Sequence, residues 1–157
     1  MSKANIDIII LDEIDSTNNE AQRVLNYKSN FPLWIIANEQ TSGRGRKNRY
    51  WVSQKGNFMG TFVLEHKIEK QYIPHLSFVT SLALRETIEG FNKGDKEIFL
   101  KWPNDIIIKD SKCAGILIES LKSNSDKEYL AIGIGVNLIN HPSKSSFKAT
   151  SLKKEFN

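Results

Sequence analysis

Between residues 98 and 136, four short apolar runs follow one another with little chain between them: Ile98–Trp102, Asp105–Ile108, Gly115–Leu121 and Tyr129–Val136. The separators are Pro103-Asn104, Asp110-Ser111 and Ser123–Asp126, all turn chemistry. Such runs read as consecutive hairpins, a meander of strands. Upstream, the β-branched run Ile6 to Leu11 reads as a buried strand that ends in Asp12–Asp15. Thr17-Asn18-Asn19-Glu20 fits a capping box, with Ala21, Val24 and Leu25 recurring at helical spacing behind it. Leu33 to Ala37 and Phe58 to Glu65 are further strands. Pro74 suits the first turn of a second helix, whose expected core stripe is Leu76, Val79, Ala83 and Leu84. Two helices with six or seven strands predict an α+β domain on a mixed, largely antiparallel sheet.

The chain has 157 residues and no repeat, linker or composition break, so residues 1–157 are expected to form one domain. With 39% hydrophobic and 25% charged residues, disorder and low complexity are excluded. The lone Cys113 excludes an internal disulfide and any cysteine-rich zinc site. The three histidines lie far apart in sequence, and nothing asks for a metal centre. No apolar stretch approaches the ~18 residues of a membrane span, and no signal-peptide pattern opens the chain, so the expected compartment is the cytoplasm. A net charge of +4 suits an anionic partner, which need be no larger than a small phosphate-bearing ligand.

The chemistry concentrates in the polar segment from Glu39 to Trp51. Gly43 and Gly45 allow tight turns and close approach of backbone amides to a ligand. Arg44, Arg46, Lys47 and Arg49 place four cations within six residues, and guanidinium groups fork onto carboxylates and phosphates. Tyr50 and Trp51 add flat faces for a base or another ring. A dinucleotide fingerprint fails because Asn48 stands at its third glycine, and no P-loop pattern is present. A solvated basic loop and a nucleic-acid-binding loop both remain open on this segment alone.

The second element is Lys101-Trp102-Pro103-Asn104-Asp105, followed across a turn by Lys112-Cys113-Ala114-Gly115. By themselves these residues fit a core aromatic before a turn, an exposed strand-start lysine and a surface ion pair. Across a short hairpin, Lys101, Lys112 and Asp105 gather near one sheet edge.

In order, Ser16-Thr17-Asn18, Gly43-Arg44-Gly45-Arg46, Lys101 to Asp105, Lys112 before the run from Ala114 to Glu119, Gly133 to Asn137 and Ala149 to Leu152 form one pattern. It resembles the catalytic domain of biotin protein ligases over about residues 11–152. The resemblance implies a biotin/lipoate ligase-like fold related to class II aminoacyl-tRNA synthetases. It implies formation of biotinyl-5′-AMP from biotin and ATP, then transfer of biotin to one lysine of a biotin carboxyl carrier domain. Magnesium is expected with ATP, and its ligands are unassigned.

By the same resemblance, Ser16, Thr17 and Gln40 hold the biotin ureido ring, and Asn18, Gly43, Arg44 and Gly115 belong to the biotin site. Arg44, Arg46 and Lys112 bring the biotin carboxylate to the α-phosphate. Arg49, Lys101, Asn104 and Asn137 join Arg46 and Lys112 on ATP, and Trp51 stacks on adenine. Asp105 is the implied group that orients or deprotonates the carrier lysine, which makes Arg46, Lys112 and Asp105 the catalytic set. No covalent nucleophile is required, so Cys113 is expected to be a small buried side chain.

The chain departs from the family pattern at Asn48, where glycine is common, and at Tyr50, where lysine is. No helix-turn-helix precedes Ile6, so DNA binding is not expected, and no SH3-like domain follows Asn157. A minimal ligase, a fragment and a degenerate relative all stay open. No membrane partner is expected, and a homodimer is a further expectation. The rival functions are a lipoate–protein ligase or octanoyl transferase, a nucleic-acid-binding module and a non-catalytic interaction domain.

Overall fold

A computed structural model describes residues 6–92, 96–124, 126–143 and 147–156. Ten elements place the site: β1 (Asp7–Ile14), α1 (Thr17–Val24), β2 (Leu33–Gln40), β3 (Phe58–His66), α2 (Ile73–Glu89), β4 (Ile98–Lys101), β5 (Asp105–Ile108), β6 (Ser111–Leu121), β7 (Glu128–Val136) and α3 (Leu152–Phe156). The seven strands form one sheet in the order β1-β2-β3-β7-β6-β5-β4. Only β1 and β2 run parallel, joined by the α1 crossover; every other neighbouring pair is antiparallel. The mixed, largely antiparallel α+β architecture read from the sequence is therefore present. Among the described residues, no helix is long and apolar enough to cross a membrane.

Register sorts the side chains into two faces. Three rows cross the near face, the one α1 covers: Ala37-Met59-Gly135-Gly115-Asp105, Ile35-Thr61-Gly133-Leu117 and Leu33-Val63-Ala131-Glu119. Ala21 and Val24 of α1 pack on Leu33, Ile35, Val63 and Ala131, all at 0% exposure. On the far face, Ile88 of α2 packs with Ile98, Ile106, Ile108, Ala114 and Val136, joined by Leu152 and Phe156 of α3. Each fully buried aliphatic side chain here contributes about 1.5–3 kcal/mol.

Five local expectations change. First, β1 runs on through Asp12 and Glu13 to Ile14, because parallel pairing continues to Glu13↔Glu39 and Ile14↔Gln40. Second, Ser16 rather than Thr17 is the N-cap, and it makes no side-chain cap bond. Thr17 turns its hydroxyl toward Gln40, while Glu20 accepts from Arg23 and Tyr27. Third, the buried positions of α2 are Ser81 and Ile88, and Val79 and Ala83 are exposed. Leu76 and Leu84 of the expected stripe are part-buried, Leu84 against the core, so the expectation holds at its two leucines and fails between them.

Fourth, Trp102 is 81% exposed, so its reading as a core aromatic fails. Fifth, β6 starts at Ser111, and a register shift between Ile106 and Ile107 makes a bulge opposite Lys112–Ala114. That extra residue buries Cys113 beside Ala114, both at 0% exposure. Ser125, within the turn expected at Ser123–Asp126, lies outside the described residues.

Candidate active site

The near face carries a cavity of about 350 Å³. Its walls come from the start of α1, the end of β2, segment 44–51, the turn at 101–105, and β6 and β7. The topology explains the meeting: α1 starts and β2 ends at the same end of the parallel pair, beside the glycine rows of β6 and β7.

One end is polar and dry. Thr17, Asn18, Gln40, Ser53 and Thr61 are all buried. The Thr17 amide donates to Gln40 Oε1 at 2.8 Å and its hydroxyl to the same oxygen at 3.1 Å. Gln40 Nε2 donates to Ser53 Oγ at 2.8 Å, and Ser53 Oγ donates to the Trp51 carbonyl at 3.3 Å. Thr61 Oγ1 donates to Asn18 Oδ1 at 2.6 Å. Buried polar groups hold fixed orientations when paired this fully, so this end offers a fixed, uncharged set of donors and acceptors.

The other end is cationic. Lys112 Nζ stands 2.7 Å from Asp105 Oδ1, with the two side chains 17% and 22% exposed. The ammonium also lies 5.3 Å from the Trp51 ring centre and 5.2 Å from that of Phe147, within cation–π range. Arg46 reaches Asn104 Oδ1 at 3.4 Å through Nη1. Asn104 is itself fixed, since its Nδ2 donates to the Ile116 carbonyl at 2.8 Å and its carbonyl accepts from the Ile116 amide.

The basic segment is an ordered loop. An isolated bridge pairs Arg44 with Tyr50, the Gly45 amide donates to the Arg49 carbonyl at 2.7 Å, and the Trp51 amide donates to the Gly43 carbonyl at 2.9 Å. Lys47 and Asn48 form its tip at φ 56° and 55°, the left-handed region. Asparagine tolerates that conformation better than most side chains, which suits Asn48 to the tip. Gly43 is needed for a different reason: a Cβ there would sit 2.5 Å from both Ser53 Oγ and the Trp51 carbonyl.

Glycines also make the floor. Gly115 and Gly135 are register partners, and the Trp51 indole lies over them, 2.6 Å from where a Cβ of Gly135 would stand. A Cβ on Gly133 would overlap Asn18 Oδ1. The floor is thus backbone, and the missing side chains are what let the Trp51 indole, the Lys112 side chain and the Asn18 amide seat against the sheet.

Of the residues singled out from the sequence, Ser16, Thr17, Asn18 and Gln40 line the polar end, with Gly115 in the floor. Arg44, Arg46, Arg49, Trp51, Lys101, Asn104, Asp105 and Lys112 line the remainder. Gly43 and Asn137 lie outside the lining. Asn137 is buried, with its amide nitrogen donating to the Thr150 carbonyl at 3.0 Å and its backbone amide to the Cys113 carbonyl. Sequence reasoning missed Thr61, Ser53, Gly133 as a steric necessity, and Glu119. The signal for Glu119 was a charge inside an apolar strand; Thr61 looks like any β-branched strand residue.

Electrostatics mark three positions nearby. The Arg23 guanidinium beside Asp15 holds its carboxyl well below the usual range, against burial and with help from Asn19 and the Ser16 amide. Burial pushes the Cys113 thiol up to about 12, aided by Glu155, so it is no nucleophile at neutral pH. Burial raises Glu155, but the Thr150 hydroxyl and Lys109 outweigh it and hold the carboxyl down. Among the described residues, no three His, Cys, Asp or Glu side chains cluster as a metal site.

A mixed sheet carrying a cavity with a neutral polar pocket at one end and a basic glycine loop at the other is the architecture of a protein ligase catalytic domain. The chain belongs to the biotin/lipoate A/B protein ligase family, whose model matches residues 10–137. A biotin–[acetyl-CoA-carboxylase] ligase of Paracoccus denitrificans is 41% identical over 133 residues, covering 85% of this chain and 55% of that protein. The biotin protein ligase of Leishmania major, solved with biotinyl-5-AMP, superposes with TM-score 0.81 at 31% identity, covering 95% of this chain and 64% of the other. That of Aquifex aeolicus, solved with biotin and ATP, gives TM-score 0.78 at 32% identity, with 96% and 61% covered. The fold is that of biotin protein ligase catalytic domains, and the chain spans about half the length of the Paracoccus relative.

Proposed function

We propose that the chain carries biotin protein ligase activity: biotin and ATP give biotinyl-5′-AMP and pyrophosphate, and the biotinyl group passes to a lysine of a biotin carboxyl carrier domain. The observation that carries this reading is the two-ended cavity, with Thr17, Asn18 and Gln40 buried and hydrogen-bonded at one end and Lys112 and Arg46 at the other. A ureido ring matches the first end, because it offers both N–H donors and a carbonyl acceptor. A carboxylate and an α-phosphate match the second.

In the first step a biotin carboxylate oxygen attacks the α-phosphorus, and the bond to the bridging oxygen of pyrophosphate breaks. Lys112, Arg44 and Arg46 offset the repulsion between the two anions and stabilise the charge of the transition state. Arg49, Lys101 and Asn104 serve the nucleotide, with Trp51 as the adenine-facing ring. Magnesium, expected with ATP, would offset negative charge on the pyrophosphate leaving group when bound. In the second step the neutral carrier amine attacks the acyl carbon, AMP leaves, and Asp105 receives or steers the amine proton. The compartment we propose is the cytoplasm.

The test is to incubate the chain with biotin, magnesium-ATP and a biotin carboxyl carrier domain. Biotin on the carrier, with pyrophosphate released, supports the reading. Release without transfer restricts it to the first step, and the absence of both release and transfer overturns it. Calorimetric titration with biotin and with lipoate separates the lipoate alternative, for which tighter binding of lipoate is the signature.

A further inference from the structure

Glu119 stands outside the cavity lining, on the near face of β6, yet it holds two parts of the site at once. Its Oε2 accepts from Asn18 Nδ2 at 2.7 Å and from Arg44 Nη2 at 3.2 Å, and its Oε1 accepts from Arg44 Nη1 at 3.2 Å. Arg44 Nη2 also donates to Asn19 Oδ1 at 2.8 Å, tying the basic loop to the first turn of α1. The row neighbour of Glu119 is Ala131, whose small side chain leaves room for the carboxylate to reach.

A carboxylate only accepts hydrogen bonds. Asn18 must therefore present its NH2 to Glu119 and its carbonyl oxygen to Thr61, which donates at 2.6 Å. Thr61 has one proton, and that bond uses it. The 2.8 Å contact between the Thr61 and Thr17 hydroxyls then has only one direction left, from Thr17 to Thr61. The other acceptor within reach of the Thr17 proton is Gln40 Oε1 at 3.1 Å, also away from the cavity. Both choices turn the Thr17 proton inward and leave a lone pair for whatever fills the polar end.

We infer that Glu119 is a positioning residue: through Asn18 and Thr61 it sets Thr17 as an acceptor toward the ligand, and so selects a head group with an N–H there. The inference rests on the ligase reading, in which that N–H belongs to the biotin ureido ring. Replacing Glu119 with glutamine puts an NH2 where only acceptors stood, so Asn18 and Arg44 compete for the one remaining oxygen and the direction of the Asn18 amide is no longer enforced. Glu119 lies outside the cavity lining and reaches the polar end through Asn18, so its loss is expected to act on biotin capture more than on turnover. Thr61→Val, which leaves the Glu119–Arg44 pair in place, isolates that effect.

The test uses the full chain. Biotin binding is measured by calorimetry and steady-state kinetics for wild type, Glu119→Gln, Thr61→Val and the double variant, with thermal denaturation of each. Thr61→Val keeps the shape and the Glu119–Arg44 pair but removes the relayed proton. The inference expects at least a tenfold rise in the biotin Kd and KM for each single variant, with kcat at saturating biotin within about threefold of wild type. It expects the double variant to be no worse than the poorer single one, as for two links of one chain. Glu119→Asp, acceptor-only, is expected to recover part of the loss. Additive losses in the double variant, or a fall in kcat with KM unchanged, overturn it and leave Glu119 as a brace. Wild-type chain that takes no biotin overturns the ligase reading instead. If Glu119→Gln fails to fold, Thr61→Val decides: an unchanged KM overturns the inference, and a raised KM upholds it.

Discussion

Lys112 and Asp105 face each other across the β5–β6 pair, Nζ to Oδ1 at 2.7 Å, from opposite sides of a bulge that shifts the register by one residue. Without the bulge, Lys112 and Gly115 would fall on opposite faces, since they are three positions apart, an odd number, along an alternating strand. The bulge lets the lysine reach back toward Gly115, with its Nζ 3.3 Å from where a Cβ would stand there. The pair thus keeps a cation at the cavity and a carboxylate close to it.

Lys112→Ala is expected to lower adenylate formation about 100-fold, the equivalent of roughly 3 kcal/mol of transition-state stabilisation. The fold is expected to persist, since no core side chain is removed. The substitution does strand the Asp105 carboxylate, so Lys112→Ala/Asp105→Asn is the control for stability. Pyrophosphate release from biotin and ATP is the assay, and a near-normal rate removes Lys112 from the catalytic set.

Arg46→Gly is expected to separate making the adenylate from keeping it. Arg46 makes one long contact, at 3.4 Å to Asn104, so its loss costs little stability. A charge-assisted bond to the intermediate is worth about 1.5–3 kcal/mol, or ten- to a hundredfold in off-rate. The variant should therefore label bystander lysines, and added amine should intercept the leaked product. Labelling confined to the carrier lysine would show that retention lies elsewhere.

Gly133→Ala is expected to cost about 1–3 kcal/mol of stability and at least tenfold in biotin affinity, because the new methyl overlaps Asn18 Oδ1. Ile132→Val, one residue away on the far face, is expected to cost about 1 kcal/mol with no change in biotin affinity. Calorimetry on both variants checks the contrast; equal effects on binding would contradict the glycine floor.

Acid stability is expected to carry the signature of Asp15. Its folded pKa lies below the unfolded value near 4, so its contribution is complete above about pH 4 and is lost as the pH falls further. The difference in melting temperature between wild type and Asp15→Asn should shrink steadily from about pH 5 to pH 2. A difference independent of pH over that window would rule out the ion pair with Arg23 as its source.

The meander, the two long helices and the basic loop were legible because turn residues and apolar runs are local signals. The stripe on α2 was misread at Val79 and Ala83 because Phe78, Val79, Leu82 and Ala83 are all apolar, and periodicity alone does not say which side meets the sheet. Most of the cavity lining was legible only through the ordered motifs; spacing alone left surface readings open for each. Thr61 and Glu119 were not legible, since their roles depend on partners 43 and 101 residues away in the chain. Asn137 was singled out by motif, and only the folded chain reveals that its amide is spent on Thr150.

The glycine floor divides the two sides of a single strand in their freedom to change. On β7, Gly133 and Gly135 have no room for one more carbon, while Ile132 and Ile134 project to the opposite face, where apolar residues of similar volume exchange at small cost. Drift along this strand is therefore expected to accumulate at every second residue. What seats Trp51 and Asn18 in the cavity wall is main chain, which point substitution can obstruct but cannot reshape. New ligand preferences in such a domain would have to arise at its polar end and in its loop, leaving the floor unchanged.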